Sequence, residues 1–203
     1  MDKTKDAANR LEAKEYITCG VFSALCIVAM LLAAVMNMSG YTTAFYPALA
    51  SLFIGILYAV LCVKVPKRGA VLAFGIVPCL YYFLSGVTEG LIGTVCVIVF
   101  SLFAEAILAN HRKSMGRIAV SGVVYTLYLS LAGSAEPFLF TDLYCDNALS
   151  HGINKTVVAQ MRGMFSIKWM WPLVILVTAL FTLAGIMIGK KIMKKHLKKA
   201  GIL

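Results

Sequence analysis

Long apolar stretches, each close to the length a helix needs to cross a bilayer, alternate along this chain with short runs of lysine and arginine. An α-helix rises about 1.5 Å per residue, so a hydrocarbon layer of about 30 Å requires about twenty consecutive apolar residues. Cut on that length, the sequence predicts six spans, at 17–38, 43–65, 69–85, 89–109, 118–132 and 169–189. The third and fifth are short. Gly75 and Pro78 loosen the third, and Ser121, Tyr125, Thr126, Tyr128 and Ser130 make the fifth polar, which places both against other helices rather than lipid. The expected fold is an all-α membrane protein, one transmembrane domain built as a bundle of about six helices.

Composition excludes the alternatives. Of the 203 residues 61% are hydrophobic and only 14% charged, whereas water-soluble domains keep about a quarter charged. The net charge of +10 does not imply nucleic acid, because the interleaved apolar segments would have to be buried before a basic face could form. It implies topology. Sixteen lysines and arginines fall in the arm 1–16, the second and fourth connections and the tail 190–203, against Lys155, Arg162 and Lys168 on the other side. Basic loops resist translocation, so the richer side and both termini are expected in the cytoplasm. The basic tail, with His196, and His111 beside Arg112 are expected to meet anionic lipid headgroups. The first apolar run is longer than a signal-peptide core and lacks a small-x-small cleavage site, and it reads as a retained span.

The outer face then consists of tight turns near 39–41 and 85–88 and a long loop, 133–168, in which 157–167 can form a short interfacial helix. Trp169 and Trp171 would anchor the last span at headgroup level. Aromatic and polar groups collect at this end, and apolar walls with a few polar anchors are what a small-molecule pocket needs. Asn37, Tyr41, Tyr81, Tyr82, Ser85, Glu89, Ser134, Glu136, Phe138 and Trp169 are the candidate ligand-binding residues.

The other motifs carry less. The six cysteines, five of them at or within spans, contain no CxxC pair and read as small buried apolar residues. Gly185, Gly189 and Lys190 superficially match a phosphate-binding loop, but that loop needs four residues between its glycines and a Ser or Thr after the lysine. Glu105, near Arg112 and Lys113, reads as a structural partner for them. His151, with Met36, Met38, Tyr144 and Cys145, is raw material for a tetrapyrrole ligand set but lacks the spacing, and it reads as a solvated loop histidine. No catalytic constellation is visible, and neither an enzyme activity nor a metal or other cofactor is expected. Small residues four apart let helices approach closely, at Gly20 and Ala24, Ala29 and Ala33, and Gly185 and Gly189, for internal packing or for a partner subunit.

The tail Gly185-Ile-Met-Ile-Gly-Lys-Lys-Ile-Met-Lys-Lys-His-Leu-Lys-Lys-Ala-Gly-Ile-Leu and the start of the first span, Ile17-Thr-Cys-Gly-Val-Phe-Ser-Ala24, resemble the closing and opening segments of the Trep_Strep group of bacterial integral membrane proteins, which belong with the substrate-binding S components of energy-coupling factor (ECF) transporters. The resemblance implies a subunit that captures a vitamin-like micronutrient outside and docks on a membrane coupling protein carrying two ABC ATPases. It places Gly20 and Ala24, then Ala29 and Ala33, on the docking face, where Val28 interrupts a regular Ala-xxx-Ala stripe. A self-sufficient carrier would more often show inverted repeats and a deep ionisable site, and a lipid-modifying enzyme would need a catalytic constellation.

Overall fold

The computed structural model describes residues 10–84, 88–109 and 111–199, with 88, 89 and 195–199 described by their backbone alone. The described residues are helical, without strands. The long helices are α1 (Ala13–Ala33), α2 (Tyr46–Lys64), α3 (Ala70–Leu84), α4 (Thr88–Leu108) and α5 (Met115–Leu139). Two short helices follow, α6 (Thr141–Ser150) and α7 (Lys155–Phe165), before α8 (Met170–Lys199). Five of these segments are long and apolar enough to cross a membrane, and α3, with 15 residues, is a shorter apolar helix. The chain is a multi-pass helical bundle. Apolar side chains such as Leu32 (59% exposed), Leu91 (54%) and Leu176 (56%) point outward, a surface that only a bilayer solvates at low cost.

Around the bundle, α1 packs on α3, α3 on α4, α4 on α5, α5 on α8, α8 on α2, and α2 back on α1, while α2 and α5 also touch across the middle. The α2–α8 crossing is the closest. A Cβ on Gly55 would lie 2.7 Å from the carbonyl oxygen of Thr182, one on Gly189 would lie 2.9 Å from that of Ile56, and one on Gly185 would overlap the carbonyl of Leu52. Ser51 donates to the Thr178 carbonyl at 3.0 Å in the same seam, so small residues on both helices allow the backbones to approach. Gly185 and Gly189 therefore serve internal packing.

One buried serine finds its partners at a local break in the neighbouring helix. Pro78 lies inside α3 and has no N–H, which strips the Phe74 carbonyl of its helical donor. Ser23 of α1 repairs the gap, donating to Phe74 O at 2.6 Å and accepting from Val77 N at 3.1 Å. Ser23→Ala should therefore lower stability by about 1–3 kcal/mol, the cost of a buried group left unmade. Thermal unfolding in mild detergent reads the loss, and an unchanged midpoint would contradict it.

At the base-rich end, Glu105 of α4 pairs with Arg112 and accepts from the backbone N–H groups of Gly69 (2.8 Å) and Val71 (3.3 Å). Its carboxylate thus caps the start of α3, where negative charge suits the helix dipole. Beside it, Lys67 bridges Glu12 at 3.1 Å and Glu15 at 3.0 Å, and hydrogen bonds to Glu15 and then Glu12 hold its ammonium pKa above the usual lysine value.

Three expectations change. The segment 133–168, read as a long loop, is largely helical: α5 runs on to Leu139, and α6 and α7 follow. Pro137 does not end α5, because Phe138, 1% exposed, is locked between Phe165 and Trp171. The short helices hold because each buries one stripe, Thr141, Cys145 and Ala148 on α6 and Val158, Met161 and Phe165 on α7. Asn154 caps α7 by accepting from Thr156 N at 2.8 Å. The last helix passes the expected end at 189 and continues to Lys199, since its basic residues are good helix formers and no glycine or proline intervenes. Finally, α1 begins at Ala13, inside the expected arm 1–16, with a capping box between Glu12 and Glu15.

Candidate functional site: a tyrosine-walled cavity

The C-terminal ends of α1, α3 and α5 and the N-terminal end of α2 meet at one end of the bundle, opposite the Glu105–Arg112 pair, and α6 and α7 lie over them. Between these elements is a cavity of about 240 Å³. Its apolar wall comes from Ile27, Met30 and Leu31 of α1, Ala34 just beyond it, Pro47 of α2, Pro137 of α5 and Phe165 of α7. Its polar groups are Asn37, Thr43, Ser134 and four tyrosines, Tyr46, Tyr81, Tyr82 and Tyr144. No acidic or basic side chain lines it among the described residues.

Local chain chemistry prepares the α5 wall. Pro137 cannot donate to the Gly133 carbonyl one turn earlier, and Gly133 faces the cavity. The Ser130 carbonyl, which a Ser134 hydroxyl could reach along the helix, already accepts from Trp171 Nε1 at 3.1 Å. Ser134 is 3% exposed and lines the cavity, so its hydroxyl is positioned for a ligand. The surrounding charges are engaged elsewhere. Arg162 of α7 reaches Asp146 at 2.8 Å and Asp142 at 3.6 Å on α6, pinning the two cap helices together, and Lys168 Nζ bonds the Phe138 carbonyl and Thr141 Oγ1.

Of the residues expected from sequence, Asn37, Tyr81, Tyr82 and Ser134 come together in the cavity wall. Tyr41 and Trp169 do not; they are 59% and 68% exposed and point outward. Phe138 is buried behind the wall, in edge contact with Phe165 and stacked on Trp171. Glu136 is half-buried on α5 and does not line the cavity. Ser85 and the side chain of Glu89 lie outside the described residues. Sequence reasoning missed Tyr46, Thr43 and Phe165. Tyr46 had a signal, an aromatic with a polar tip at the outer start of the second span, while Phe165 enters only through the docking of α7.

The four small residues assigned to a partner divide. Gly20 and Ala24 are exposed on α1, and a Cβ on Gly20 would have nothing within 4 Å. Ala29 and Ala33, at 4% and 0% exposure, face the core and offer nothing to a partner; the helix turns that side inward to meet α2 and α3. His151 sits at the end of α6, exposed, with Nδ1–H donating to the Asn147 carbonyl at 2.8 Å. Among the described residues no three His, Cys, Asp or Glu side chains converge to hold a metal.

No curated protein and no solved structure matches the chain. The model of one family does, over residues 13–199, from the first residue of α1 to the last of α8, under the description hypothetical bacterial integral membrane protein (Trep_Strep). With a multi-pass bundle matched along nearly its whole length, the chain belongs to the Trep_Strep family of bacterial integral membrane proteins.

Proposed function

We propose that this chain is the substrate-binding S component of an ECF-type importer, which captures a small vitamin-like solute and delivers it by docking on a membrane coupling protein that carries two ABC ATPases. The observation that carries the reading is the 240 Å³ cavity at the base-poor end of the bundle, walled by aromatics and lined by the polar side chains of Asn37 and Ser134. That end faces outward if the basic residues stay in the cytoplasm, which sets the cavity toward incoming solute. The chain itself is assigned no catalysis, and ATP is left to the partner.

The open Gly20–Ala24 face of α1 supports docking, because a smooth strip lets a partner helix approach its backbone. The basic tail would hold this end at anionic headgroups. As to the ligand, a cavity of about 240 Å³ falls below the range of about 300–1,000 Å³ of drug-sized ligand pockets, which favours one compact ring system over a tetrapyrrole. His151 points the same way, lying outside the cavity wall.

Co-purification tests the role. With the coupling protein and ATPases co-expressed, the wild type should pull them down, and Gly20→Leu with Ala24→Leu should lose them while remaining monodisperse. Assembly undiminished by both substitutions would remove the docking assignment, and the absence of any such complex with wild type would remove the importer reading. For the cavity, Ser134→Val and Asn37→Leu should each lower retention of the co-purifying small molecule about tenfold, the effect of one hydrogen bond worth about 1.4 kcal/mol. Mass spectrometry of solute per protein measures it, and retention equal to wild type would exclude these two as contacts.

A further inference from the structure

We propose that the cavity continues inward past the ring of Tyr82 to a second, polar subsite whose floor is the hydroxyl pair of Tyr125 and Tyr128, and that this subsite takes the uncharged hydrogen-bonding end of a planar ligand. The inference deepens the reading of the cavity as a solute site and rests on it.

Three tyrosines stand in a column inside the bundle. Tyr58, Tyr125 and Tyr128 are all 0% exposed, with Tyr58 and Tyr125 stacked at 5.4 Å and Tyr125 and Tyr128 edge to face at 5.4 Å. The lowest is satisfied in full. Tyr58 OH bonds Ser121 Oγ at 2.5 Å, and Ser121 Oγ donates onward to the Ala104 carbonyl at 2.7 Å. The upper two differ: the hydroxyls of Tyr125 and Tyr128 are buried with no hydrogen-bond partner. Native interiors leave few such groups without a purpose or an unseen guest.

Tyr82 separates this pair from the cavity. It lines the cavity wall, and its ring meets that of Tyr128 edge to face at 6.0 Å and 89°. On its other side it lies flat on Gly93 of α4, where a Cβ would fall 2.6 Å from the ring's Cγ. The slot exists because α4 carries no side chain at Gly93. A Tyr82 ring that swings aside would open the cavity toward the hydroxyls of Tyr125 and Tyr128.

The chemistry of the floor defines the guest. A phenol hydroxyl both donates and accepts, so the pair suits a carbonyl, an amide, a ring nitrogen or a hydroxyl. A charged group would lose its hydration at a site with no counter-charge among the described residues, which disfavours ions. The aromatic walls above, Tyr81 and Tyr82 edge to face at 5.6 Å, suit a flat body.

The test uses N-acetylimidazole, a small neutral planar reagent that acetylates accessible phenols, on the full-length protein in nanodiscs, with acetylation mapped by peptide mass spectrometry. In wild type Tyr128 should react as slowly as Tyr58. In Tyr82→Ala, Tyr128 should react at least tenfold faster while Tyr58 stays unchanged, and Tyr82→Phe, which keeps the ring, should behave as wild type. If Tyr82→Ala does not assemble, Tyr82→Leu removes the ring while keeping apolar packing and is read by the same comparison. Tyr128 as inert as Tyr58 in the ring-less variant would overturn the proposal, and so would both reacting together, since the bundle rather than the subsite would then have opened. The readout is independent of transport: a negative result removes the inner subsite alone, whereas failure to assemble with the coupling protein removes the importer role and leaves this geometry standing.

Discussion

Gly185→Leu is expected to yield no folded, monodisperse protein, while Gly20→Leu purifies as wild type does. Both glycines begin a small-xxx-small step, but their surroundings are opposite. At Gly185 even a methyl group overlaps the Leu52 carbonyl and comes within 3.1 Å of Ile56 N. Backbone on the facing helix cannot rotate away as a flexible side chain can. Overpacking a well-filled interior costs about 1–3 kcal/mol per site and more where nothing yields, and the α2–α8 seam also carries the Ser51–Thr178 contact, while Thr182 of α8 bonds Thr126 of α5. Gly185→Ala should therefore already lower the thermal midpoint, and leucine should prevent assembly. Size-exclusion profiles in mild detergent decide the matter; a sharp monomer peak for Gly185→Leu would show that the crossing is looser than described.

Glu105→Ala should destabilise the protein by about 3 kcal/mol, the magnitude associated with removing one member of a buried ion pair. Three groups are affected together: the Arg112 guanidinium, 9% exposed, loses its counter-charge and keeps the Lys67 carbonyl, and the N–H groups of Gly69 and Val71 lose their acceptor. Glu105→Gln keeps one acceptor oxygen for the backbone while removing the charge, so it should fall between alanine and wild type. Arg112→Met in the Glu105→Gln background should recover part of the loss, because a neutral pair has no charge to desolvate. Urea or thermal unfolding of the four proteins supplies the cycle. Equal stability of wild type and Glu105→Ala would mean that Arg112 reaches water at this end and that the carboxylate is not needed.

The helices and the solvent they occupy were legible because hydropathy sums over a window and needs no knowledge of neighbours. The structural pairing of Glu105 was legible too, since a carboxylate beside two cations at a span end has few other fates. Most of the cavity wall was not. Asn37, Tyr81, Tyr82 and Ser134 were named from their level along the helices, but Tyr41 and Trp169 share that level and point outward. Level is a matter of counting residues, whereas direction depends on how each helix is rotated.

That difference separates what the sequence determined from what the tertiary structure decided. Stretch length and charge placement determined a multi-pass bundle with one base-rich end, because transfer between water and hydrocarbon is a property of each segment alone. Only packing decided that Gly185 meets backbone while Gly20 meets nothing, that Ala29 and Ala33 turn inward, and that 133–168 folds into a cap whose Tyr144 and Phe165 complete the cavity. In a bilayer the lipid face and the core of a helix are both apolar, so the periodicity that betrays the buried side of a water-soluble helix is faint here. Rotation is then set by shape and hydrogen bonding between segments far apart in the chain, and those interactions exist only once the helices have met.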